Sequence, residues 1–297
     1  MKGHVIALRA EVGLGPAVRP DTIAPPARPR SEGGALPALR QHWPEYLIEA
    51  AGLGLFMVSA CLFATLLEYQ GSPVRQTLMS AMLRRVPMGL AMGLTAVAIV
   101  YSPWGQRSGA HLNPAVTLTF WRLGKVKAWD AAFYVAAQFV GAMVGVGLAA
   151  VVLGSRLADP AVSYAATVPG AGGAAVAFGA ELLMTFVLMT VVLTVANRRG
   201  LNRFTGLFAG ALVASYIVFE APFSGMSLNP ARTVGSAVHA QVWTALWVYF
   251  TAPLLGMLAA AQLYVATRGV DAVLCAKLHH ENSQHCIFRC NYGARAR

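Results

Sequence analysis

Along this chain, long apolar runs alternate with short polar connections. Six runs stand out, at 45–68, 86–102, 128–154, 173–196, 203–220 and 241–267. Each approaches the ~20 residues that a helix needs to cross the hydrocarbon core of a bilayer. The pattern predicts an all-α membrane protein with six transmembrane helices. Small residues recur four apart inside several runs: Gly89 and Gly93, Gly141 and Gly145, Gly206 and Gly210. Burial of apolar surface gives no driving force between helices in lipid, whereas small residues let backbones approach closely. Tight helix crossings are expected at these pairs.

Composition agrees with the pattern. Hydrophobic residues make up 57% of the 297 positions and charged residues only 12%, against roughly 25% charged in a soluble domain. The net charge of +11 would suit nucleic acid, but the placement of the basic residues excludes it as a partner. They sit in the tails and between the apolar runs. Eighteen of the 23 Lys and Arg lie in the tails and the connections on their side, four lie in the opposite connections, and Arg232 belongs to neither set. An excess of Lys and Arg marks the cytoplasmic side, so both termini of a multi-pass protein of the cell membrane are expected there.

The tails carry little pattern of their own. Residues 1–44 are rich in Pro, Gly and Arg and contain no signal peptide, and they are expected to be disordered and cytoplasmic. The tail 268–297 contains CAKLHHENSQHCIFRC, with Cys275, His279, His280, His285, Cys286 and Cys290. Cys and His ligate metals, but Cys-x3-His and Cys-x3-Cys match no strong zinc pattern. A flexible cytoplasmic tail without a metal is the expectation, and Cys61, in the first run, is expected to be a small packing residue.

The candidate chemistry lies in a repeat. The stretch SGAHLNPAVT at 108–117 returns as SGMSLNPART at 224–233, identical at seven of ten positions. An isolated acid also recurs, Glu49 in the first run and Glu181 in the fourth. The chain therefore divides into two three-span repeats, 45–155 and 172–267. Three is odd, so the second repeat enters the membrane from the opposite side, giving inverted topology.

Asn is a favoured helix N-cap and Pro is favoured at the first helical position. Asn113-Pro114-Ala115 and Asn229-Pro230-Ala231 thus predict helices over 113–123 and 229–239. At 1.5 Å per residue each is about 15 Å long, half a bilayer. Entering from opposite sides, two such half-helices would meet N-terminus to N-terminus. Each N-terminus carries roughly half a positive charge, which opposes a cation between them. The non-helical residues before each Asn must be buried or line a water-filled cavity. Carbonyls at Gly109, Ala110, His111 and Leu112, and from Gly225 through Ser227 to Leu228, are expected to offer acceptors along a pore.

These residues resemble the aquaporins and glycerol facilitators, the major intrinsic protein family, over about 45–267. The resemblance, closer to the aquaporin type, implies an aquaporin-like fold with two re-entrant half-helices, a pore in each subunit and a homotetramer in the lipid bilayer. It implies a passive channel for water, with no cofactor and no enzymatic chemistry. It places Arg232 in an outer constriction, joined by Ile217, Met226 and Met92; aligning the second span without a one-residue gap gives Gly93 in place of Met92. His111 becomes a constitutive pore-lining residue. Glu49 and Glu181 become structural acids that accept hydrogen bonds from the N–H groups of the re-entrant loops.

Water-selective members place an aromatic residue at the second-span position and a histidine at the fifth. This chain has neither, and a Met/Ile/Met/Arg ring is expected to pass glycerol or other small neutral solutes with water. Thr233, Ala237 and Tyr249-Phe250 resemble water-channel members instead. A glycerol facilitator remains an alternative. So does an alternating-access transporter, because inverted repeats with broken helices also build those.

Overall fold

The computed structural model describes residues 34–292; most of the N-terminal tail expected to be disordered lies outside the described residues. Eight helices build the membrane body: α1 (Ala35–Glu68), α2 (Ala81–Tyr101), α3 (Pro114–Arg122), α4 (Ala128–Leu153), α5 (Gly173–Ala196), α6 (Thr205–Phe219), α7 (Pro230–Ala240) and α8 (Leu246–Arg268). All but α3 and α7 are long and apolar enough to cross a bilayer, α6 together with the 3-10 turn before it. No strand occurs among the described residues.

Two helices begin earlier than hydropathy suggests. α1 starts at Ala35 rather than 45, so the last part of the expected tail is helical. Polar side chains in the added turns and at the start of the expected run find partners inside the protein. His42 Nδ1 and Tyr46 Oη both reach Asp130 Oδ1 of α4 at 2.7 Å, and Arg107 Nε donates to Glu45 at 2.9 Å. α2 starts at Ala81 rather than 86, with Ser80 as its cap. Arg84 masks this turn in the sequence. Its guanidinium forks onto Glu68 at the end of α1 (3.0 and 2.9 Å) and donates to the carbonyls of Leu78 and Met79.

Packing follows the repeat. α1 lies along α4 and α5 lies along α8, the equivalent pairs of the two halves. α2 and α6, the second span of each half, pack on each other, while α3 packs on α8 and α7 on α4. Each short helix is thus held in part by the other half, α3 also resting on α4 of its own. Glycines set these crossings. A Cβ on Gly141 would stand 2.1 Å from the Ala50 carbonyl oxygen, one on Gly145 2.4 Å from that of Gly54, and one on Gly93 2.6 Å from that of Gly210. These are backbone atoms that cannot step aside. Gly141→Val is expected to cost at least about 1–3 kcal/mol, the usual range for overpacking. A thermal melt of the detergent-purified protein would show it, and an unchanged midpoint would refute the tight crossing.

The segment after α8 departs from expectation. Residues 273–292 contain neither helix nor strand, yet they pack against the membrane body instead of trailing away. Val273 and Ala276 are fully buried, and Lys277 is 2% exposed. Burial pushes the Lys277 ammonium below its ordinary pKa, and its Nζ donates to the Gln284 carbonyl at 3.0 Å.

Candidate functional site

The loops that precede α3 and α7 repeat one backbone path. A short helix, Pro103–Ser108 or Ala221–Ser224, ends on a left-handed glycine, Gly109 (φ 94°) or Gly225 (φ 77°). Ala110 (φ 54°) and Leu112 (φ 50°) then also take positive φ, and Met226 (φ 53°) and Leu228 (φ 59°) copy them. Side-chain-bearing residues rarely adopt this region, at a cost of about 1–3 kcal/mol each, so something must hold both loops in place.

The repeated acids do so. Glu49 is fully buried in α1. It accepts from Ser108 Oγ (2.8 Å), the N–H of His111 (3.0 Å), the N–H of Leu112 (2.6 Å) and Gln138 Nε2 (2.8 Å). Glu181, equally buried in α5, accepts from Ser224 Oγ (2.8 Å) and the N–H groups of Ser227 and Leu228 (2.7 Å each). A second pair of anchors repeats as well. Tyr134 Oη donates to the Ser108 carbonyl at 2.7 Å and Tyr249 Oη to the Ser224 carbonyl at 2.6 Å. The donors that lipid could not satisfy are thus met by side chains from the spans.

The two loops then join. Asn113 caps α3 by accepting from the Ala115 N–H at 2.9 Å, and Asn229 caps α7 by accepting from those of Ala231 and Arg232 at 3.0 and 3.2 Å. With their amides the caps reach across the repeat. Asn113 Nδ2 donates to the Leu228 carbonyl at 2.8 Å, and Asn229 Nδ2 to the Leu112 carbonyl at 2.7 Å. This reciprocal pair sets α3 and α7 N-terminus to N-terminus. Each amide has two N–H groups, so one remains on each for whatever enters the space between.

That space is a cavity of about 320 Å³, lined by Asn113 and Asn229 together with Ala110 to Leu112 and Gly225 to Leu228. Met92, Ile217, Met226 and Arg232 line it too. Gly93 does not; it faces Gly210 in the α2–α6 crossing. Arg232 Nη1 is buried with no hydrogen-bond partner among the described residues, a charged donor left over at the cavity wall. Pro114, Ala115, Pro230 and Ala231 are buried in the first turns of the short helices.

Three expected acceptors are already engaged. The Leu112 and Leu228 carbonyls take the asparagine amides, and the Gly109 carbonyl accepts the N–H of Leu278 from the C-terminal segment at 3.2 Å. His111 lines the cavity but is also covered. Its ring lies between Phe120 and Phe288, stacked at 5.4 and 5.3 Å. Nε2 reaches the Ala276 carbonyl at 2.9 Å and must be the protonated nitrogen, so Nδ1 accepts from Thr117 Oγ1 at 3.1 Å. Sequence reasoning missed Glu68 and Arg85 at one end of the cavity and Leu278 at the other. The acid closing the first run and the Arg pair opening the second were a usable signal. Leu278 had none, because only the fold brings its segment back to the cavity.

Comparison with known proteins fits this geometry. A family model described as Major intrinsic protein matches residues 39–264. Aquaporin NIP2-3 of Zea mays is 38% identical over 199 residues, which cover 67% of this chain and 64% of the maize protein. Aquaporin NIP6-1 of Arabidopsis thaliana is 38% identical over 174 residues, 58% of this chain and 55% of its own length. The chain thus spans less than two thirds of these relatives. Among solved structures, the aquaglyceroporin from Plasmodium falciparum has a similar fold, with a TM-score of 0.62 at 23% identity over 77% of this chain and 99% of its own.

Proposed function

Because the chain belongs to the major intrinsic protein family, we propose that it is a passive membrane channel that conducts water and small neutral solutes and turns back protons and other ions. One observation carries the proposal: two helix N-termini, tied to each other through Asn113 and Asn229, open onto one cavity. Their dipoles place partial positive charge on the path from both directions. A cation meets repulsion there, while water meets amide donors on Asn113 and Asn229.

Met92, Ile217, Met226 and Arg232 act as the selectivity filter. Three are apolar, so a permeant molecule keeps few hydrogen-bond partners apart from Arg232. A solute with carbon backbone and hydroxyls loses less on entering such a ring than on entering a polar one, which extends the range from water to glycerol-like molecules. The excess of Lys and Arg puts both termini on the cytoplasmic side and Arg232 toward the outside. Outward-facing apolar side chains such as Leu94, Val151 and Val152 meet lipid or, in a homotetramer, a neighbouring subunit.

Stopped-flow swelling of proteoliposomes tests this. Fast, non-saturating flux of water and glycerol is expected without an ion gradient. Saturable, ion-coupled uptake would establish a transporter instead. Water flux with no glycerol or urea flux would refute the wider solute range.

A further inference from the structure

The C-terminal segment packs without regular secondary structure, which raises the question of what fastens it. Residues 273–292 make few ladder-like bonds to the body: Leu274 N–H to Asn197 Oδ1 (2.6 Å), Leu278 N–H to the Gly109 carbonyl (3.2 Å) and Arg289 N–H to the Lys125 carbonyl (2.9 Å). A free-standing unit of this size usually needs a disulfide or a metal to hold a fixed shape; this segment rests on the body, but without a helix or strand of its own.

Four side chains converge inside it. Cys275, His280, Cys286 and Cys290 place one ligand atom each so that all four lie within 4.8 Å of one another. Cys275 Sγ and Cys286 Sγ are 3.5 Å apart, and Cys290 Sγ is 2.9 Å from His280 Nε2. All the cysteines are free thiols. Zinc bonds of ~2.3 Å to sulfur and ~2.0–2.1 Å to nitrogen put the corners of a tetrahedron about 3.5–3.8 Å apart. The cluster has the right atoms, at separations from 2.9 Å up to 4.8 Å that bracket that spacing. Its imidazole is held flat against Tyr292, stacked at 4.1 Å and 8°, and Tyr292 Oη in turn donates to the Ala196 carbonyl at the end of α5. The convergence differs from the Cys-x3-His spacing noted in the sequence. The histidine is His280, four residues beyond Ala276, while His279 turns away onto Tyr101. The spacing that matters is Cys-x4-His-x5-Cys-x3-Cys.

The same segment covers one mouth of the cavity. Leu278 lines the cavity itself, the Ala276 carbonyl accepts from His111 and Phe288 stacks on the His111 ring. These contacts come from both arms of the cluster, before His280 and after Cys286.

We propose that Cys275, His280, Cys286 and Cys290 form a tetrahedral Cys3His site for zinc, and that the bound ion fastens the C-terminal segment over this mouth of the cavity. Three thiolates and one imidazole select zinc over hard cations, and with all four positions filled by the protein the site is structural. The ion ties the Ala276–Leu278 arm to the Phe288 arm, so losing it frees both from the mouth. The covering role rests on the channel function proposed above; the metal site does not.

The full-length protein, purified in detergent after growth with zinc, is assayed for metal by mass spectrometry. One zinc per chain is expected, falling to a small fraction in Cys286→Ser and in Cys290→Ser. Should those variants fold poorly, cobalt exchanged into the wild type gives the visible bands of a tetrahedral thiolate site. Hydrogen exchange of residues 273–292 should accelerate on chelation, and water permeability of proteoliposomes should rise severalfold. A metal-free chain, a Cys275–Cys286 disulfide, or zinc that survives both substitutions would overturn the site. Faster exchange with unchanged permeability would overturn the covering role. Absence of swelling both with and without zinc would refute the channel function, while the metal and exchange results would still decide the site.

Discussion

Replacing Arg232 with alanine is expected to raise proton and cation leak through reconstituted protein by about a hundredfold, while water still passes. At about 5 Å and an effective dielectric of about 20, one unit charge raises the energy of a passing cation by about 3 kcal/mol, which corresponds to roughly that factor in rate. The half-helix dipoles remain, so exclusion weakens without vanishing. Arg232 Nη1 has no partner among the described residues, so removing that group orphans no acceptor, and the fold is expected to survive. Arg232→Lys separates charge from shape. It keeps the repulsion but loses the planar fork of donors, and should hold the leak low while changing the ratio of glycerol to water flux. A pH-sensitive dye inside the liposomes reads the leak. If the alanine variant is as proton-tight as the wild type, Arg232 is not the barrier.

Glu181→Ala is expected to abolish accumulation of folded protein. The carboxylate satisfies the Ser224 hydroxyl and the N–H groups of Ser227 and Leu228 in a fully buried site. Each orphaned donor costs about 1–3 kcal/mol, and together they consume much of the ~5–15 kcal/mol by which a folded protein is stable. The strained residues Met226 and Leu228 would lose their tether at the same time. Glu181→Gln should fall between, because its amide keeps one acceptor but turns two N–H groups toward N–H donors. Glu49→Ala should be at least as severe, since Gln138 joins its set of donors. Size-exclusion profiles and melting of the tagged proteins check all three. A Glu181→Ala protein with normal yield and flux would refute the anchoring role.

What the sequence disclosed and what it hid divide along physical lines. Asn113 and Asn229 were legible as helix starts because capping is local chemistry, settled within three residues. The inverted repeat was legible because Glu49 and Glu181 recur in matching places, and an acid in an apolar run needs a reason. Hydropathy misplaced the start of α2 because Arg84 scores as polar, although Glu68 and two carbonyls neutralise it in place. It misplaced α1 for the same reason at His42, whose ring finds Asp130 inside the protein. The Cys/His cluster was illegible because its geometry depends on the route of an irregular segment. Nothing local distinguishes His280 from His279. The covering of His111 by Phe288 was hidden likewise, since those residues are far apart in sequence and joined by no periodicity.

The crossed asparagine bonds have a consequence for how the chain is made. Asn113 and the Leu228 carbonyl it needs are 115 residues apart. At about 5–20 residues per second of synthesis, the partner of Asn113 emerges roughly 6–23 seconds after it. For that interval the first half carries an amide without its acceptor, a left-handed loop held only by its own Glu49 and Tyr134, and a short helix α3 with α4 but not yet α8 to pack against. The first repeat is therefore a passenger in the membrane until the second arrives, and a ribosome stalled before residue 228 would leave an open loop at the centre of the bilayer for quality control to find.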